Sequence, residues 1–153
     1  MKIAIVHYHL QPGGVTRVIE NTLQAWEENG TEIEAAVLSG RAYPGGRLPN
    51  THVVEGLDYS SPSNAIDPRI LTERIRRSAR DALGQAPDLW HIHNHSLGKN
   101  PSLGATVSLL AERGERILLH PHDFAEDGRP GNYLSLSAVY PVSYTHLTLP
   151  TKA

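Results

Sequence analysis

Residues 2–7 read KIAIVH, a short apolar run rich in β-branched side chains, broken at once by HLQPGG. Such a run, bounded by turn residues, predicts a strand buried on both faces, as in a parallel sheet. Directly after the break, Val15, Val18, Ile19, Thr22, Leu23 and Trp26 recur at helical spacing. They predict an amphipathic helix, with Gly30 as its C-cap. A buried strand that turns through glycines into a helix is the first unit of a layered α/β domain.

The same alternation continues. Residues 33–38 and 51–55 read as strands, separated by a Gly-, Pro- and Arg-rich loop over 40–49. A helix is predicted from Pro68, where proline suits a first turn. Leu71, Ile75, Ala79 and Leu83 form its buried stripe, while Arg69, Arg74, Arg76, Arg77 and Arg80 lie mostly off it and read as a solvated face. Residues 88–93 (DLWHIH) give a fourth strand. The polar turn NHSLGKN leads into a helix over 101–113, and residues 116–120 (RILLH) give a fifth strand. Strand, helix, strand, strand, helix, strand, helix, strand implies an open, mostly parallel sheet.

Composition narrows the function classes. The chain has 153 residues, a formal net charge of -2 and no cysteine. That length suits one domain with one core. The absence of cysteine excludes a disulfide scaffold and a thiol nucleophile. The near-neutral charge argues against a nucleic-acid partner held by counterion release. No stretch approaches the roughly 20 apolar residues that span a bilayer, and the N-terminal apolar run is too short for a signal peptide. A cytoplasmic protein is expected.

Ligands of open α/β sheets bind at the carboxyl ends of the strands. Three such ends carry polar residues or glycine: HYHLQPGG, HIHNH and HPHD. Gly13 and Gly14 lead straight into a helix. Lacking a Cβ, they let a diphosphate approach the backbone where the helix N-terminus favours negative charge, and Arg17 in the first turn adds a cation. The plainer reading is an ordinary strand-to-helix turn. No G-x-G-x-x-G fingerprint is present. His91, His93 and His95 alternate, and share one face if the strand continues that far. His120 and His122 repeat the H-x-H spacing, with Asp123 following. H-x-H suits a metal site. The plainer and preferred reading is histidines at strand ends that hydrogen-bond a polar ligand, since no complete metal-ligand pattern accompanies the spacing. Asp123, Glu126 and Asp127 are acid/base candidates in a loop-like stretch. A hydrolase triad is disfavoured because no G-x-S-x-G elbow occurs.

KIAIVHYHLQPGGVTRVI resembles the first strand, Gly-Gly loop and first helix of retaining glycosyltransferases of the GT-B fold, of the family 4 type. APDLWHIHNH resembles that family's fourth strand, and ILLHPHDF its next one. The resemblance covers residues 1–140, with the three blocks correctly spaced. It implies a Rossmann-like three-layer α/β domain, one half of a GT-B fold, over residues 1–141. It also implies that the parent enzyme moves a hexose from a nucleotide-sugar to an acceptor hydroxyl with retention. This half lies on the acceptor side; the missing C-terminal domain carries an Arg/Lys pair and an E-x7-E motif, so the chain alone is expected to be inactive. By position, Gly13 and Gly14 match the donor-diphosphate loop. His122 matches the histidine that contacts the donor sugar, which makes it the catalytic candidate. His93 matches the second histidine of the strand end, and with His95 and Asp123 completes the substrate-binding set. The nucleotide-sugar is a substrate; no cofactor and no metal are expected.

Two other functions compete: a metal-dependent hydrolase built on His91, His93, His95, His120 and His122, and a non-catalytic sugar or nucleotide binding module. The last stretch, residues 142–153 (VSYTHLTLPTKA), has no helix stripe. It reads either as an edge strand or loose terminus, or as foreign sequence following a native chain that stops near Pro141. The second reading is preferred, because the tail resembles the ends of broken gene models.

Overall fold

The computed structural model describes residues 1–123 and 131–132. The elements follow the predicted order: β1 (Lys2–Val6), α1 (Gly14–Glu28), β2 (Glu34–Ser39), β3 (Thr51–Val53), α2 (Pro68–Leu83), β4 (Leu89–His93), α3 (Pro101–Glu112) and β5 (Ile117–His120). The five strands form one sheet in the order β3-β2-β1-β4-β5, and every pairing is parallel. The strand order reverses between β1 and β4. That is the switch point at which open α/β sheets leave a crevice for a ligand.

Both faces of the sheet are covered, which gives three layers. Ala4, Val6, Leu38, Trp90 and Ile92 pack against Leu71, Ile75 and Ala79 of α2 and Leu103, Val107 and Leu110 of α3. The stripe expected on α2 is buried throughout, Leu83 included. On the other face Ile3, Ile5 and Val37 meet Ile19 of α1, with Val15, Leu23 and Trp26 packed around them. Each fully buried side chain of this size contributes roughly 1.5–3 kcal/mol of transfer free energy.

The helix ends explain the boundaries. Asp67 caps α2 by accepting the Arg69 N–H at 2.7 Å, Pro68 opens the helix, and Gly84 closes it at φ 72°. Asn100 caps α3 by accepting the N–H groups of Ser102 and Leu103. At the end of α1 the cap residue is Asn29, one place before the glycine expected from sequence, and Gly30 follows in the left-handed region at φ 60°. β3 ends at Val53, two residues earlier than expected. The expected polar turn after β4 is an inward one: His95, Ser96 and Leu97 are buried and Asn100 is fully so. Asn100 donates to the carbonyls of Gly56 and Asp58, tying this turn to the segment after β3. Among the described residues no helix is long and apolar enough to cross a membrane. Glu126, Asp127 and the tail over 142–153 lie outside the described residues.

Candidate functional site

The carboxyl ends of β1, β4 and β5 meet at one edge of the sheet, and one residue joins all three. Asn94, directly after β4, adopts φ 53°; asparagine is among the few residues that enter this region readily. Its carbonyl accepts the Tyr8 hydroxyl at 2.7 Å, from the end of β1. Its backbone N–H donates to the His120 carbonyl at 3.1 Å. Its side-chain Oδ1 accepts the N–H groups of His122 at 2.6 Å and Asp123 at 3.2 Å, after β5. Sequence reasoning passed over Asn94 and Tyr8. The available signal was an asparagine set between histidines at a strand end, where a left-handed residue redirects the chain.

That turn also decides which histidines assemble. His91 and His93 point to the same face of β4, their ring centroids 4.3 Å apart. In register, His93 stands beside His120 of β5. The left-handed Asn94 ends the strand, so the alternation does not carry to His95. His95 is buried away from the group, with its Nδ1 unpartnered among the described residues. His91 Nε2 lies 3.1 Å from His120 Nδ1, and His93 Nδ1 lies 2.8 Å from His122 Nε2. His120 and His122 stack at 4.3 Å. His7, at the end of β1, approaches His93 edge-on at 6.3 Å.

His7, His91, His93, His95 and His122 are shifted toward the neutral form. Burial, reinforced by neighbouring imidazoles, lowers His91 to about 4 and His93 to about 2. Burial and His9 lower His7 to about 4. Burial alone lowers His95 to about 4. His122 is lowered by burial and by His120, against an upward pull from Asp123. A neutral imidazole offers one donor and one acceptor, so the facing nitrogens of His93 and His122 share one proton. His93 retains a buried Nε2 with no hydrogen-bond partner among the described residues.

The glycines stand where the sequence placed them. Gly13 is the N-cap of α1, with no side-chain cap and no acidic residue in the first turn. α2 and α3 each have a side-chain cap, whereas the first-turn N–H groups of α1 have none and are open to a ligand or water. A Cβ on Gly14 would meet nothing within 4 Å, and one on Gly13 only the Gln11 carbonyl at 3.8 Å. A pocket of about 180 Å³ borders Gly13, Thr16, Arg17, Tyr43 and Arg47. Arg17 is exposed and paired with Glu20 at 3.1 Å, so its charge is shared. His122 is half-buried and Asp123 exposed, whereas His93 is only 1% exposed. His93 therefore touches His122 rather than the solvent-facing edge.

Comparison of the chain with protein families, with curated proteins and with solved structures gives no match. The site is read from its own geometry.

Proposed function

We propose that this chain is the acceptor-side half of a retaining glycosyltransferase that moves a hexose from a nucleotide-sugar to a hydroxyl. The observation that carries the reading is the uncapped N-terminus of α1 at Gly13–Gly14, on the same sheet edge as His122. An uncapped, glycine-lined helix start suits a diphosphate, and His122 supplies a ring at a distance from it. The switch point between β1 and β4 is where a crevice forms.

In this reading the diphosphate rests on the first-turn N–H groups of α1. The C1–O bond to the leaving phosphate breaks, and a new C1–O bond to the acceptor forms on the same face of the sugar. The acceptor proton passes to the leaving phosphate oxygen, so no protein nucleophile is required. His122 hydrogen-bonds the sugar as charge develops, with His93 and Asn94 positioning it. Such preorganised groups act mainly in the transition state. A second domain closes the cleft and provides the cations that balance the diphosphate.

Incubating the chain with nucleotide-hexoses that carry a labelled sugar tests this directly. The expected result is saturable nucleotide binding without sugar release or transfer. Turnover by the 153-residue chain alone would contradict the half-cleft, and failure to bind any nucleoside diphosphate would remove the donor site.

A further inference from the structure

On the α1 side of the sheet, Ile3 and Ile5 of β1 have as their register partners Leu89 and His91 of β4. The apolar row thus gives way to imidazoles: His91 and His93 on β4, and His120 beside them on β5. His91 and His93 are buried. A sheet interior has no need of three converging imidazoles for packing, and burying polar rings is costly unless their nitrogens are used.

We propose that His91, His93 and His120 form a binding site for a divalent transition metal of the zinc type, with His122 holding His93 in its ligating orientation. Each of the three residues offers one ring nitrogen, and these atoms all lie within 4.8 Å of one another. A tetrahedral ion with bonds of about 2.0–2.1 Å sets its ligand nitrogens about 3.3 Å apart. His91 Nε2 and His120 Nδ1, at 3.1 Å, already stand at nearly that separation. The His93 ring lies beside both, its centroid 4.3 Å from that of His91 and 4.8 Å from that of His120.

The proton count agrees. When His93 donates from Nδ1 to His122 Nε2, the lone pair of His93 falls on Nε2, the buried atom without a partner. Fixing a ligand's tautomer through its other ring nitrogen is how outer-shell partners support metal-bound histidines. Neutral imidazole is the ligating form. An all-imidazole set without thiolate or carboxylate selects zinc, cobalt, nickel or copper over magnesium or calcium. Three protein nitrogens leave a fourth position for water or a ligand oxygen.

This inference stands apart from the glycosyltransferase reading, because metal uptake is measured without any nucleotide. The tag-free, chelator-washed chain is titrated with cobalt(II), followed by visible absorption and by metal analysis after gel filtration. The site takes up one ion per chain, with the intense absorption of four- or five-coordinate cobalt, and zinc displaces it. His91→Ala abolishes uptake. Should that variant fail to fold by circular dichroism, His120→Asn, at the half-buried end of β5, gives the same loss. His122→Ala weakens uptake by about 10- to 100-fold, the range for outer-shell partners. His52→Ala, on the edge strand β3, changes nothing. Absence of uptake by the wild-type chain would overturn the proposal, as would uptake that survives both His91→Ala and His120→Asn. Metal uptake by a chain that ignores nucleoside diphosphates leaves the metal site standing and the donor site fallen; the reverse result does the opposite.

Discussion

Asn94 Oδ1 accepts the backbone N–H of His122 at 2.6 Å. The contact fixes His122, a half-buried histidine just beyond the end of β5, and it depends on the left-handed backbone of Asn94. Asn94→Ala removes the acceptor of two N–H groups and leaves an alanine in that region. The expected cost is about 2–3 kcal/mol. Asn94→Gly loses the acceptor without the backbone strain and costs roughly 1 kcal/mol less. Urea unfolding of both variants checks the order; equal losses would show that the backbone conformation carries no weight.

The neutral histidines make stability depend on pH with a definite sign. His7, His91 and His95 are lowered to about 4 and His93 to about 2, against about 6.5 in an unfolded chain. Between those values the unfolded state binds more protons, so stability falls as pH drops below about 6.5. It is fully present above that pH. Free energies of unfolding measured from about pH 7 to about pH 5 will decline steadily. A flat profile would mean that the rings protonate in place.

Gly14 separates fold from site. Its Cβ would meet open space, and glycine is the weakest helix former after proline, so Gly14→Ala raises stability by up to about 1 kcal/mol. Gly14→Val keeps the fold and blocks the close approach of a diphosphate to the backbone. Thermal melts and diphosphate binding measured on the same samples show the two effects together. A destabilised Gly14→Ala would mean that this turn is packed rather than open.

On the proposed glycosyltransferase reading, His122→Ala in the full enzyme lowers kcat by about 100-fold or more, as for loss of one preorganised hydrogen-bond donor. The KM for the donor stays near its starting value, because the contact strengthens in the transition state. Unchanged kcat in a folded sample would take His122 out of the reaction.

Periodicity made the layers legible. The stripe Leu71, Ile75, Ala79 and Leu83 and the run KIAIV needed only spacing and composition to be placed, because their burial is decided locally by the helix and strand repeats. Proline at 68 marked the start of α2 for the same local reason. The site was harder. His91 and His93 were legible as neighbours from the strand period, but their union with His120 depends on which strand lies beside β4, a long-range pairing that no local pattern encodes. His95 was grouped with them by alternation, which the single left-handed residue Asn94 interrupts. Asn94 itself acts through hydrogen bonds to Tyr8, His120, His122 and Asp123, all distant in sequence, so its role was invisible until the strand order was known.

On the proposed reading, the edge of the sheet at Gly13, Gly14 and His122 receives a nucleotide-sugar diphosphate. Titrating the ¹⁵N-labelled chain with a nucleoside diphosphate, and following its backbone amides and imidazoles by NMR, tests it most directly. The account predicts saturable shifts at Gly13, Gly14, Val15 and His122, and their loss in Gly14→Val. Shifts confined to the arginine face of α2 at Arg69, Arg77 and Arg80, or no shifts at all, would contradict it.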